Sequence, residues 1–330
     1  MRLRSTFRST FLGVVAAVAC AFAASLACAA DEYPTKPIKL VLPWPPGGSS
    51  ELPARALSEH MARTLGQPIV IEHRPGATGQ IGTTYVKGAD ADGYTLLYAN
   101  FSTHALSPAV EKNLRYDPWG DFAPVVLAAQ LPTALLVRDA GHIKTLNDLK
   151  ALSMSKGDLT LGTIGAGSAS LFLGLLLEET VGIKVRPVQY KGEALAVQDI
   201  IGGHIDIIFA ATAPQFIGPG AARAVLTTGG ERWKAIPNVP TLAEATGTQN
   251  SMTAWNGIVA PKATSKAVIA RLNQAANKAL ADPEVRVRLE KAGIQVVGGA
   301  PELFEQRSRK DIEMLGAFAK RHAATIDALR

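Results

Sequence analysis

The residues best suited to chemistry lie near the start of the chain, in Leu42-Pro43-Trp44-Pro45-Pro46-Gly47-Gly48-Ser49-Ser50-Glu51. An apolar run from Ile38 ends in prolines, passes through paired glycines and two serines, and enters a helical pattern. That order reads as strand, tight loop and helix start. The first N–H groups of a helix lack intrahelical partners and carry partial positive charge, which makes a seat for an anion. Glycine lets a ligand approach the backbone, and serine adds a hydroxyl donor. The chemistry implied is the holding of a carboxylate by Gly47, Gly48, Ser49 and Ser50, with Trp44 as an apolar wall. A turn that binds nothing fits the same loop taken alone.

A second loop of the same kind is Gly165-Ala166-Gly167-Ser168, between the strand pattern Leu159–Thr163 and an apolar helix from Ala169 to Thr180. It approaches the dinucleotide fingerprint, but Ser170 stands where the third glycine belongs. The next strand ends in Tyr190-Lys191, without the acid that would hold a ribose. No phosphate-binding lysine motif occurs anywhere. Ser168 therefore reads either as a second anion seat, helped by backbone N–H groups, or as a helix N-cap. Catalysis finds little support. The histidines at 60, 73, 104, 142, 204 and 322 do not pair at metal-ligand spacing, and Gly-x-Ser-x-Gly is absent. His104, in a loop after the strand Tyr94–Tyr98, is the one candidate base, with a packing histidine as the alternative. Asp206, in an apolar strand pattern, is either a satisfied structural carboxylate or a group that positions cleft donors.

The elements that must position these residues follow an α/β rhythm. Residues 1–30 read as a secretory signal peptide: Arg2, Arg4 and Arg8, an apolar stretch Phe11–Ala24, then small residues to Ala30. Cys20 and Cys28 both lie in it, so the mature chain has no thiol chemistry, and Ser25-Leu26-Ala27 is a poor lipidation signal. Without this segment 31 basic and 28 acidic side chains remain, with no block of like charge, and nucleic acid is disfavoured as a partner. Helices are expected over 52–65 and 78–87, between strands at 38–42, 68–71 and 94–98. The same βαβαβ order recurs from Leu159 to Phe209, after an apolar segment interrupted by Pro132. Trp255, in the strand 254–260, reads as core. Ligands of parallel sheets sit outside the carboxyl ends of the strands.

Eight motifs then occur in order: Tyr33-Pro34-x-Lys36-Pro37-Ile38, Pro45-Pro46-Gly47-Gly48-Ser49, Leu65-Gly66-Gln67-Pro68, Arg74-Pro75-Gly76-Ala77, Asp92-Gly93-Tyr94-Thr95-Leu96, Tyr190-Lys191-Gly192, Gly202-Gly203-x-x-Asp206 and Val239-Pro240-Thr241. Together they resemble the Bug receptors, extracytoplasmic solute-binding proteins of tripartite tricarboxylate transporters. The resemblance implies a type II periplasmic binding-protein fold: two βαβ lobes, 31–130 with 254–330 and 131–253, joined by a hinge around a central cleft. It implies a periplasmic, monomeric receptor without cofactor, metal or enzymatic activity, which passes a small carboxylate to transporter membrane subunits. By position, the contacts would be Trp44, Gly47, Gly48, Ser49, Ser50, Ser102 and Thr103 from one lobe. Ala166, Gly167, Ser168 and Tyr190 would come from the other, with Asp206 behind them. The chain departs from the pattern at Glu51, where the family usually has Asp, and after Phe209, where Ala210-Ala211 replaces an acid. Loss of that acid suggests a mono- or dicarboxylate without a free amine, aromatic acids included. A ligand sensor for a signalling partner is the alternative, and a cleft enzyme a more distant one.

Overall fold

Short apolar strands alternating with helices assemble two mixed sheets. The structure, a computed structural model, describes residues 33–139, 142–165, 168–218, 221–247 and 252–328. The expected signal peptide lies outside the described residues, as do Ala166 and Gly167. The strands are β1 (Ile38–Leu42), β2 (Ile69–His73), β3 (Thr95–Asn100), β4 (Phe122–Leu131), β5 (Ala134–Arg138), β6 (Leu159–Thr163), β7 (Val185–Gln189), β8 (Ile207–Ala210), β9 (Ala222–Thr227), β10 (Ala254–Pro261) and β11 (Gln295–Val296). One sheet has the order β11-β4-β10-β3-β1-β2 and the other β7-β6-β8-β5-β9.

Each sheet contains the parallel triplet that the alternation implies: β2-β1-β3 in the first lobe and β7-β6-β8 in the second. The remaining strands depart from an all-parallel sheet. β10 runs antiparallel to both β3 and β4, and β5 runs antiparallel to both β8 and β9. The chain passes from β4 to β5 through Pro132-Thr133, and returns to the first sheet between β9 and β10. Pro132, which has no N–H to give a ladder, stands where β4 has ended and β5 has not begun.

The helices follow their patterns. Helix Glu51–Leu65 buries Leu57, Met61 and Leu65 as one stripe and stops at Gly66, whose φ of 73° suits glycine. Helix Leu146–Lys156 opens with a capping box of Thr145 and Asp148. Helix Ala169–Val181 is buried from Ser170 to Leu177, as expected for a helix with almost no polar face. The long C-terminal helix Glu302–Arg321 packs Phe304 against Trp255, with ring centroids 5.0 Å apart. Farther along it meets the second lobe's helix: Phe318 lies 4.2 Å from Phe172, and Arg321 and His322 contact Glu179 at 2.7 and 2.9 Å.

Of the two readings left open for Asp206, the structure shows the satisfied structural carboxylate, and Asp206 lines neither cavity. It precedes β8, so it stands where the parallel strands begin. Its carboxylate accepts from the Thr160 N–H (2.8 Å), the Thr160 hydroxyl (2.7 Å) and Lys156 Nζ (2.6 Å), stitching β6 to β8. Burial opposes ionisation here, but the Lys156 and Thr160 contacts outweigh it and hold the carboxyl below its ordinary range. A depressed folded-state pKa contributes stability above the unfolded value, about 4, and that stability is lost as pH falls through the folded value. Asp206→Asn should therefore cost about 1–3 kcal/mol at neutral pH. The difference from wild type should shrink below about pH 4. Urea titrations at neutral and acidic pH check both expectations.

Candidate functional site

Between the carboxyl ends of the two triplets lies an inner cavity of about 140 Å³. Leu42, Asn100, Thr163 and Phe209 mark the strand ends that reach it. Its first jaw is the proline-glycine-serine loop. Gly47 has φ +83°, which turns the chain from Pro46 toward the helix. Ser50 is the N-cap residue of helix Glu51–Leu65 but makes no side-chain cap bond, so its hydroxyl is not consumed by the helix. The Glu51 carboxylate braces the loop: Oε1 accepts from Arg55 Nε at 2.5 Å, and Oε2 lies 3.1 Å from His73 Nε2. The other nitrogen of His73 is 2.8 Å from the Trp44 carbonyl oxygen. Ser102 adds a hydroxyl from the π-helical turn Ser102–Leu106 that follows β3.

The second jaw is the start of helix Ala169–Val181. Ser168 is fully buried, and its hydroxyl is already engaged. It accepts from the Leu171 N–H at 3.3 Å and lies 2.6 Å from the Thr163 hydroxyl. Thr163 donates to the Gly165 carbonyl at 3.2 Å, so the Ser168 proton turns to Thr163 and none is left for a ligand. Ala169 and Ser170 of the first helical turn line the cavity beside it, with the Ser170 hydroxyl donating to the Gly162 carbonyl at 2.5 Å; the first N–H groups of a helix have no intrahelical partner. Asn256 and Trp255 of β10, Leu131, Phe101 and Glu193 complete the wall. Among the described residues that line it there is no lysine, arginine or histidine.

A profile described as "Tripartite tricarboxylate transporter family receptor" matches residues 53–319. The chain belongs to this receptor family. It is 34% identical over 287 residues to a protein of a tcbD-tcbE intergenic region in Pseudomonas sp. strain P51, covering 86% of this chain and 85% of that one. Its identity to BugT of Bordetella pertussis is 31% over 277 residues, covering 83% and 85%. Among solved structures it resembles the periplasmic binding protein BugD, with a TM-score of 0.82, 30% identity and coverage of 88% and 98%. MatC of Rhodopseudomonas palustris, with bound malate, gives 0.81, 32%, 86% and 99%. Rpa4515 of R. palustris, with adipate, gives 0.83, 27%, 87% and 97%. The fold of this receptor is accordingly the two-lobed α/β periplasmic binding-protein fold.

In this receptor the cavity gathers Trp44, Gly47, Gly48, Ser49, Ser50, Ser102 and Ser168 of the residues expected from sequence. Tyr190 lines instead an adjoining outer cavity of about 600 Å³, with Thr78, Lys191 and Trp44, and its hydroxyl lies 2.6 Å from Asp199 Oδ2. Thr103 is withdrawn from both: its hydroxyl bonds Asn100 and its N–H donates to Asn100 Oδ1 at 3.0 Å. His104 is sealed between Tyr116, Phe122 and Phe304, and burial holds its pKa down to about 3. It does not line either cavity and is no cleft base. Gly79 fits tightly at the mouth. It has φ +89°, and a Cβ there would lie 2.8 Å from Thr103 Cγ2 and 3.2 Å from the Trp44 ring.

Reading the sequence missed Glu193 and Asn256. Lys191-Gly192-Glu193 follows β7 at the same carboxyl edge as the glycine loops, so the strand-end rule could have found Glu193. This residue also removes the ground for expecting an amine-free ligand. Ala210-Ala211 does lack an acid, but the Glu193 carboxylate reaches that backbone from another element and accepts from the Ala211 N–H at 3.2 Å. Because Ser168 is spent on its helix, Ser168→Ala should cost about 1 kcal/mol of folding stability, as lost caps do. It should change ligand affinity less than Ser49→Ala does. Denaturant titration alongside calorimetry separates the two effects.

Proposed function

We propose that the protein is a periplasmic receptor that captures a small carboxylate between its lobes and delivers it to the membrane subunits of a tripartite tricarboxylate-type transporter. One observation carries the reading: two helix starts and the hydroxyls of the first loop converge on one cavity, and the described residues that line it include no cationic side chain. Such donors suit an anion held by dipoles rather than by an ion pair. The signal-peptide pattern at 1–30 supports export. The malate and adipate in two structural relatives support carboxylates that differ in length and polarity. The ligand is a mono- or dicarboxylate, aromatic acids included, and no restriction against an amine is kept. Residues 31–130 with 254–330 and residues 131–253 are taken as the two lobes that hold it, and the functional unit as a monomer.

The test is a thermal-shift screen of the purified mature protein against mono-, di- and tricarboxylates. A ligand that binds only the folded form raises the melting temperature, and at a hundredfold excess over its Kd it adds about 2.7 kcal/mol. Ser49→Ala should weaken the ligand found by about 1 kcal/mol, roughly fivefold. Melting temperatures unmoved by every carboxylate would remove the reading.

A further inference from the structure

Two acids line the inner cavity, and they differ in what surrounds them. Glu51 is matched by Arg55, whose Nε lies 2.5 Å from Oε1, while Oε2 lies 3.1 Å from His73 Nε2 without a hydrogen bond. Glu193, half-buried in the first turn of helix Glu193–Gly202, is held by neutral groups only. Its Oε1 accepts from the Thr212 N–H at 3.0 Å and from the Thr212 hydroxyl, and its Oε2 accepts from the Ala211 N–H at 3.2 Å. A carboxylate offers about four lone-pair sites. Three are filled, and the open one is on Oε2.

An anion in this place constrains its neighbour in the cleft. A ligand carboxylate set against Glu193 would bring two like charges together between apolar walls, where they are weakly screened. A hydroxyl or ammonium would fill the open acceptor site instead, and hydrogen bonds to a charged group are the stronger kind. We propose that Glu193 is the specificity-determining residue of the cleft, selecting a carboxylate that turns a hydroxyl or ammonium toward it over the unsubstituted acid of the same skeleton. Burial works against the charge and raises the Glu193 carboxyl above its ordinary range, while the three hydrogen bonds from Thr212 and Ala211 favour the ionised form and fix both oxygens as acceptors.

The assignment rests on the carboxylate-receptor reading, and the experiment keeps the two apart. Three matched series are titrated by calorimetry against wild type and Glu193→Gln: succinate, malate and aspartate; propionate, lactate and alanine; phenylpropionate, phenyllactate and phenylalanine. In any series that binds wild type, the hydroxy or amino acid should be tighter than the plain acid by about tenfold or more. Glu193→Gln should reduce that preference to about threefold or less. A plain acid that binds wild type as tightly as its substituted partners overturns the role of Glu193 while leaving carboxylate capture intact. So does a preference that survives in a folded Glu193→Gln protein. If that variant does not fold, the wild-type ranking decides alone. No binding of any of the nine acids by folded wild type overturns the role of Glu193, and the carboxylate reading falls with it when the full mono-, di- and tricarboxylate screen is also negative.

Discussion

The whole arrangement depends on two chain crossings that run side by side. Thr133 on one and Thr228 on the other lie with their hydroxyls 2.9 Å apart, and the Thr228 N–H donates to the Thr133 carbonyl at 3.0 Å. Strand β4 is parallel to β3 because both are antiparallel to β10, so β4 ends at the cleft edge. A chain that leaves one sheet at its cleft edge must enter the other running away from the cleft. β5 does this, and so does β10 after β9. The antiparallel strands are thus a consequence of where the chain crosses. Crossing there also turns the carboxyl ends of both parallel triplets, with their loops and helix starts, toward one cavity.

A second tie lies at the far end of helix Ala169–Val181. Its first turn lines the cavity, while Glu179, about 15 Å along the helix at 1.5 Å per residue, meets Arg321 and His322. The Arg321 contact lowers the Glu179 carboxyl below its ordinary range against the effect of partial burial. Phe172 and Phe318 add an apolar contact between the same two helices. One rigid rod thereby joins a cleft donor set to the C-terminal helix, so the position of the second jaw depends on packing outside the cleft.

Much of this was legible because it is local. Strand-to-helix loops with paired glycine and serine announce themselves, and the capping box at Thr145 and the stop at Gly66 are set by neighbours in sequence. The polar details were not local. Whether Ser168 offers its proton to a ligand depends on Thr163, and Thr163 in turn on the Gly165 carbonyl. Thr103 looked like a cleft hydroxyl and is consumed by Asn100. Asp206, whose two readings stayed open, and Glu193, which was missed, are told apart by strand direction. A residue that precedes a parallel strand stands at the edge away from the ligand, and one that follows a strand stands at the near edge. Asp206 precedes β8 and Glu193 follows β7.

The two cavity acids show how one functional group takes opposite parts through its partners alone. Glu51 lies in the first turn of its helix, where the macrodipole favours a negative charge, and Arg55 one turn on supplies a cation. His73 lies beside it and bonds the Trp44 carbonyl, so the surroundings of this acid stiffen the first jaw. Glu193 also starts a helix, but its partners are two amides and a hydroxyl, which orient its charge without cancelling it. Of the two acids that line the cavity, Glu193 is the one with no cation beside it. A cleft of neutral donors accepts carboxylates as a class. A single uncompensated acid within it sorts them by what else they carry.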